Sequence, residues 1–208
     1  MTANRVLARI FGSFVLIVFL GGCASAPAKR SFSDTQSLIL GKTTPVECKA
    51  LFGEPKESDI KNGSDGNIEV YRYVTRGERW VKLCARMLVV EFKNDVLNGY
   101  LFGSSFDEDR TAFAVTNIAK IEWAASAKED VAQLLGKPHG KFRCPTTIIA
   151  QDRCRAADRE VWFYANFQPV PMLTPNQRRM LFAGETAGIT FDEHGIVIEV
   201  NKKQAAAF

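Results

Sequence analysis

The feature that most constrains the fold is a short helical pattern that occurs twice, 83 positions apart. The first copy reads TTPVECKALFGEP (43–55), and the second reads SAKEDVAQLLGKP (126–138). Each has a hydroxyl side chain three residues before a Glu, Thr44 or Ser126, which is the pattern of a capping box. Each ends at a Gly with a Pro two residues later, which stops a helix. The pattern predicts two short helices, each with one apolar face.

Similar strand patterns follow both helices in the same order. EVYRYV (69–74) corresponds to EVWFYA (160–165), and LVVEFKNDVLNGYLF (88–102) corresponds to GITFDEHGIVIEVN (188–201). Turn residues interrupt each longer stretch after a Phe, which predicts a hairpin. We interpret four strand aromatics as core residues rather than a ligand cage: Tyr71, Tyr73, Trp162 and Tyr164.

Short apolar stretches also precede both helices, so the order predicts an α+β fold of two tandem repeats. Each repeat would be a short helix pair packed on an antiparallel sheet of about three strands. The predicted divisions are a signal peptide (1–22), an acylated Cys with a flexible tether (23–37), the first repeat (38–103), a linker (104–117), the second repeat (118–203) and a tail (204–208).

The N-terminus has the pattern of a bacterial lipoprotein signal. Two Arg residues flank the start of an apolar run that is too short to span a bilayer, and the run ends in Leu-Gly-Gly before Cys23. We expect cleavage before Cys23 and acylation of that residue, with palmitate among the attached acyl groups. Because Ala24 rather than Asp follows it, we expect an outer-membrane location on the periplasmic face. The alternative is an ordinary signal peptide with an incidental Cys.

Four further cysteines are disulfide candidates, because the periplasm is oxidising: Cys48, Cys84, Cys144 and Cys154. Four cysteines allow three pairings. The short segment between Cys144 and Cys154 favours a bond between them, and Cys48 and Cys84 would then pair. A metal site is the rival interpretation, but no C-x₂-C spacing and no nearby His support it.

The pattern I-x-x-G-x-T, V-x-x-L-G-x-P, W-x-Y and F-x-x-x-G-x-V resembles the SmpA/OmlA (BamE-like) lipoprotein family. This chain shows it as ILGKTTPVECKALFGEP and VYRYV in one half and DVAQLLGKP and VWFYANF in the other. The resemblance implies two helices on a three-stranded antiparallel sheet and a role in outer-membrane protein assembly or envelope integrity. The doubling is similar to the architecture of the β-lactamase inhibitor protein, which implies inhibition of a hydrolase as the alternative.

Nothing in the sequence predicts an enzyme. His139 and His194 follow helix-stop or turn residues, so we interpret both as exposed turn residues, and no nucleophile elbow is present. The acidic run 107–109 is interpreted as a hydrated linker, and the basic segment 76–86 as a solvated hairpin. With 27 basic and 23 acidic residues and no clustered basic face, we expect no nucleic acid. We also expect no cofactor, no metal and no small-molecule substrate.

The remaining expectation is a lipid-anchored module that binds a periplasmic or outer-membrane protein. The segment 166–185 carries Met and apolar residues beside Arg, a composition enriched at interfaces. The alternative for these residues is that they pack back on the core. The candidate binding residues are Trp80, Met172, Leu173, Arg178, Arg179, Met180, Leu181 and Phe182.

Overall fold

The computed structural model describes residues 32–63, 66–79, 82–104, 106–111, 113–149, 154, 159–166, 168–169 and 182–205. The helices are α1 (Pro45–Phe52) and α2 (Lys128–Leu135), with 3₁₀ helices at Phe32–Ser37, Asp107–Asp109 and Val115–Lys120. The strands are β1 (Glu57–Gly63), β2 (Gly66–Arg79), β3 (Lys82–Lys93), β4 (Val96–Ser104), β5 (Gly140–Arg143), β6 (Glu160–Ala165), β7 (Gln168–Pro169), β8 (Phe182–Phe191) and β9 (Val197–Ala205).

One continuous antiparallel sheet runs through both halves of the described chain. Its strand order is β1-β2-β3-β4-β5-β6-β8-β9, and the short β7 also pairs with β8. The short strand β5 joins the halves, because it pairs with β4 on one side and β6 on the other. A Cβ at Gly140 would lie 2.6 Å from the carbonyl oxygen of Tyr100, so only glycine allows this close approach of β5 to β4.

The predicted fold class, α+β with two tandem repeats that are each a short helix pair on an antiparallel sheet of about three strands, is therefore wrong. The described residues are largely β structure, and the helices are two α-helices of eight residues each with short 3₁₀ turns. A separate three-stranded sheet would leave two unpaired edges, and pairing through β5 covers one edge of each half.

Helix α1 begins and ends where the sequence predicts. The Glu47 amide donates to Thr44 Oγ1 (3.3 Å), and Glu47 Oε2 accepts from the Thr44 amide (2.8 Å), which completes the capping box. Gly53 ends the helix with φ 78°, a conformation that favours glycine. The helix buries Cys48 and Phe52 against the sheet.

Helix α2 starts one residue later than the predicted cap. Its N-cap is Ala127, whose amide donates to Asp130 Oδ2 (2.8 Å), so only half of a capping box forms. Ser126 accepts from the Glu122 amide instead (2.9 Å). The prediction of a Ser126 cap with Glu129 is wrong, because the serine hydroxyl closes the preceding turn.

The loops that lead into the two helices make the same backbone hydrogen bonds to the two long hairpins. In each half, one loop amide donates to a strand carbonyl, and the amide of that strand residue donates back to a loop carbonyl. The bonds are Gly41 N to Leu97 O (2.7 Å) and Leu97 N to Thr43 O (2.8 Å), and Ala124 N to Val197 O (2.8 Å) and Val197 N to Ser126 O (2.9 Å).

The strand aromatics lie in the core, as predicted. Tyr71 meets Phe92 at a ring distance of 5.2 Å, and Trp162 meets Phe191 at 5.0 Å, both edge to face at 62°. Such pairs contribute about 0.5–1.5 kcal/mol beyond their buried area. These aromatics belong to two clusters that pack the helices on one face of the sheet.

A third cluster covers the opposite face in the middle of the sheet. Strand side chains alternate between faces, so Val161 and Phe163 point away from the helices, together with Phe142. Cys144 is buried in this cluster, and Ile148 packs against it from the loop that follows β5. This loop therefore serves as the cover of the second face.

Candidate functional site

The strand directions give the sheet two ends with different contents. The hairpin turns after β3 and after β8 lie at the same end, because four antiparallel pairings separate these two strands. We call this the turn end. We call the other end the cavity end. It holds the last residue of β4 (Ser104), the residue before β5 (His139) and the last residue of β6 (Ala165).

The cavity end holds a polar cavity of about 230 Å³. It lies between the connection that follows β4 and the ends of β5 and β6. Its lining is Phe102, Ser104, Asp109, Arg110, Thr111, Phe113, His139, Ala165 and Asn166. Most of these side chains are polar, so the cavity is suited to water or a hydrogen-bonding group more than to an apolar ligand.

A buried ion pair forms one wall of this cavity. Arg86 Nε donates to Asp109 Oδ2, which also accepts from Ser104 Oγ (2.5 Å). The side chains of Arg86 and Asp109 are only 4% and 2% exposed. Glu108 adds a second contact to Arg86 Nη2 at 3.0 Å from the more exposed side. The pair fixes the connection after β4 against the first half of β3.

The Arg86 guanidinium also lies 4.1 Å from the centre of the Phe106 ring. Burial lowers the pKa of Arg86, but Asp109 and Glu108 together raise that pKa above its ordinary value. The remaining nitrogen, Nη1, is buried and has no hydrogen-bond partner among the residues that the structure describes. Arg86 therefore keeps its charge in a site that water does not reach freely.

The predictions for the basic segment 76–86 and the acidic run 107–109 were wrong at Arg86 and Asp109. We expected both segments to be solvated, yet Arg86 and Asp109 are buried. The reason is their pairing, which removes the cost of burying either charge alone. Glu108, at 47% side-chain exposure, agrees better with the hydrated interpretation.

His139 is also buried, which contradicts its interpretation as an exposed turn residue. Its Nδ1 accepts a hydrogen bond from the Ala165 amide (3.2 Å), and its Nε2 lies 3.4 Å from Thr111 Oγ1. Burial lowers the pKa of His139 to about 4. Because Nδ1 is an acceptor, the neutral ring carries its proton on Nε2 and cannot take a proton from Thr111.

His194 is exposed in the turn between β8 and β9, as predicted, with Nε2 3.5 Å from Glu193 Oε1. The two histidines lie at opposite ends of the sheet, so they do not form one site.

Most of the predicted binding residues lie outside the described residues: Trp80, Met172, Leu173, Arg178, Arg179, Met180 and Leu181. Phe182 begins β8, and its backbone pairs with Pro169. Residue 80 follows Arg79, which pairs with Lys82 at the far end of the β2–β3 hairpin. Both predicted segments therefore connect strands at the cavity end. The lipidation candidate Cys23 also lies outside the described residues.

The cysteine predictions have mixed outcomes. Cys144 and Cys154 form a disulfide, as the short segment between them predicted. Cys48 is instead a buried thiol whose Sγ lies 3.7 Å from Tyr73 Oη. Tyr73 pairs with Leu88, four positions along β3 from Cys84, so the predicted bond between Cys48 and Cys84 is wrong.

Glu91 forms a buried polar site that the sequence did not indicate. Its side chain accepts hydrogen bonds from Asn98 Nδ2 (2.5 Å) and from the amide and hydroxyl of Thr147 (2.6 and 2.5 Å). Asn98 also donates to the carbonyl oxygens of Arg143 (3.3 Å) and Pro145 (3.0 Å). These contacts fasten the disulfide loop to the β3–β4 hairpin.

Within the described ranges, no group of three His, Cys, Asp or Glu side chains is placed to hold a metal ion. In that same part of the chain, every helix is too short or too polar to cross a membrane.

Comparisons with known proteins give one structural neighbour to describe. No family model and no curated protein matches the chain, so the SmpA/OmlA resemblance has no support from them. A crystal structure from Streptococcus mutans, described as a "putative beta-lactamase inhibitor protein", covers 82% of this chain and 93% of its own. Its identity is 13% and its TM-score is 0.49, so we draw no conclusion from it about what this chain binds.

Proposed function

We propose that this protein is a lipid-anchored periplasmic module of the outer membrane that acts by binding another protein at the cavity end. The signal pattern before Cys23 supports the anchor. The binding role could serve outer-membrane protein assembly or envelope integrity.

The observation that carries the binding role is the position of the strand ends. The two segments that carry the predicted binding residues lie far apart in sequence, around residue 80 and between residues 166 and 185. The described strands on either side of these segments, β2 and β3 for one and β6 and β8 for the other, all end or begin at the cavity end. These strand ends and the rim of the polar cavity support a binding surface at this end.

The chemistry of the cavity supports binding more than catalysis. His139 donates from Nε2, Asp109 is neutralised by Arg86, and the Ser104 hydroxyl donates to Asp109. The Ser104 hydroxyl has no free base to activate it. His139 Nδ1 already accepts from the Ala165 amide, and Asp109 Oδ2 is already paired with Arg86. We therefore propose that the protein is not an enzyme.

Inhibition of a periplasmic or cell-wall hydrolase is the second candidate, and it comes from the sequence resemblance alone. The same end of the sheet would then present its connections to an enzyme cleft. Purified protein that slows a β-lactamase or a lysozyme-like hydrolase at stoichiometric concentration would favour this function over a scaffold role.

The proposal is tested by photo-crosslinking in cells of the source bacterium. The full chain carries a photoreactive phenylalanine analogue at Met180 or, as a matched control, at Ile60, which is 62% exposed on the edge strand β1. We expect Met180 to give a discrete protein adduct that Ile60 does not give. If neither position yields a protein adduct, or if both yield the same one, binding at the cavity end is rejected.

A further inference from the structure

Among the side chains that the structure describes, most of the large apolar ones that are exposed lie at the turn end. Six large apolar side chains are exposed among the described residues, and four of them lie in the loops, the helix start or the hairpin turn at this end. The four are Ile39 (53% exposed), Val46 (77%), Val96 (36%) and Trp123 (72%). Scattered exposed apolar residues need no explanation, but this placement at one end does.

Topology fixes this placement. Ile39 lies in the loop that bonds to Leu97, and Trp123 lies in the corresponding loop that bonds to Val197. Val46 is in the first turn of α1, directly after the first loop, and Val96 is the first residue after the β3 turn. Leu97 is on β4 and Val197 is on β9, and three strands separate these two, so the two loops lie roughly 19 Å apart along the sheet.

Trp123 is held in its exposed position by a hydrogen bond. Its indole Nε1 donates to the carbonyl oxygen of Ile198 at 2.8 Å. The polar group of the side chain is thus satisfied by the protein, while the ring faces outward. Such an indole can enter an apolar or interfacial environment without losing a hydrogen bond to water.

The first described residues lead into the turn end and follow the predicted anchor closely in sequence. Phe32, the first described residue, follows Cys23 by nine residues, which span at most about 30 Å when fully extended. After one short 3₁₀ helix and the buried Leu38, the chain reaches Ile39. A body on such a short tether stays close to the surface that holds the lipid.

We propose that the turn end rests on the phospholipid surface of the membrane, with Ile39, Val46, Val96 and Trp123 as the contacting side chains. This inference rests on the proposed anchoring at Cys23. Exposed charges at this end have both signs, with Lys42 in the first loop, Asp95 in the turn after β3 and Glu122 directly before Trp123. Apolar insertion rather than charge attraction therefore drives the contact, and added salt does not weaken it.

Tryptophan fluorescence in brominated lipid tests this contact. The full chain, as produced in bacteria, is reconstituted into vesicles of phosphatidylcholine with or without brominated acyl chains. We expect the brominated lipid to quench the wild-type protein, and Trp123→Phe to lose most of that quenching. Trp80→Phe is the matched control at the cavity end and keeps the quenching.

Equal quenching of Trp123→Phe and the wild type overturns the inference, as does a crosslinker at residue 123 that captures a protein instead of lipid. The mass of the purified chain reports separately on acylation of Cys23. An acylated chain without Trp123 quenching rejects the contact and leaves the anchor. A chain without lipid that still shows the quenching rejects the anchor and leaves the contact.

Discussion

The His139 imidazole accepts a hydrogen bond from the Ala165 amide at Nδ1, and its Nε2 faces the Thr111 hydroxyl. The sequence placed this residue after a helix-stop Pro, which is a usual position for an exposed turn. What it could not indicate is that β5 starts at the next residue and is covered from both sides by β4 and β6. Burial follows from that pairing, and it keeps the ring neutral.

This burial makes stability depend on pH. The unfolded chain binds a proton at His139 near pH 6.5, whereas the folded chain binds it only near pH 4. The contribution of the neutral ring is therefore complete above pH 6.5 and is lost as the pH falls, by about 3 kcal/mol at pH 4. Chemical denaturation at several pH values measures it.

The control for this measurement is His139→Gln. We expect it to be less stable than the wild type at pH 7.5 but to lose less stability between pH 6.5 and 4. Parallel stability curves for the two proteins would contradict the assignment of a buried neutral imidazole.

Asp109 shows the same limit of sequence reasoning. It lies in an acidic run with no apolar pattern, and its partner Arg86 is 23 positions earlier in a basic hairpin. Each segment on its own has the composition of a solvated surface. The buried pair forms because the β3–β4 hairpin brings the first half of β3 next to the connection after β4.

At the scale of elements, the sequence predicted the helix caps and hairpin turns, because neighbouring residues determine these features. The caps of α1, the turn after Phe92 and the turn after Phe191 all lie where the sequence indicates. The short strand β5 was missed, because four residues with one buried Phe carry no clear period. Its pairing depends on Gly140 and on the free edge of β4, which are properties of the assembled sheet.

The loop after β5 is the element on which the second face of the sheet depends. Glu91 holds it through Thr147, and Glu91→Ala leaves the Thr147 amide without its side-chain acceptor and removes one of the three acceptors of Asn98 Nδ2. We expect the free energy of unfolding to fall by about 3 kcal/mol. Urea denaturation at neutral pH, with the disulfide intact, measures this loss.

The matched control is Glu57→Ala, which removes an exposed strand carboxylate that lies 3.8 Å from Arg72. Surface pairs of this kind contribute about 0–1 kcal/mol. If Glu91→Ala costs no more than Glu57→Ala, the loop is not held by the buried carboxylate.

At the scale of the whole molecule, the two ends of the sheet have different surfaces. The turn end presents exposed apolar side chains and holds the loop that follows the first described 3₁₀ helix. The cavity end holds the buried ion pair, the polar cavity and the connections that carry the predicted binding residues. The sequence could not assign the strand ends to one end of the sheet or the other, since this depends on the number of antiparallel pairings between the strands.

The central claim is this division of the molecule into a membrane-facing end and a partner-binding end. Its most direct test is crosslinking in intact cells from a photoreactive side chain at residue 123 and, in a second strain, at residue 180. The account predicts lipid adducts from residue 123 and a discrete protein adduct from residue 180. Protein adducts from residue 123 together with lipid adducts from residue 180 would contradict it.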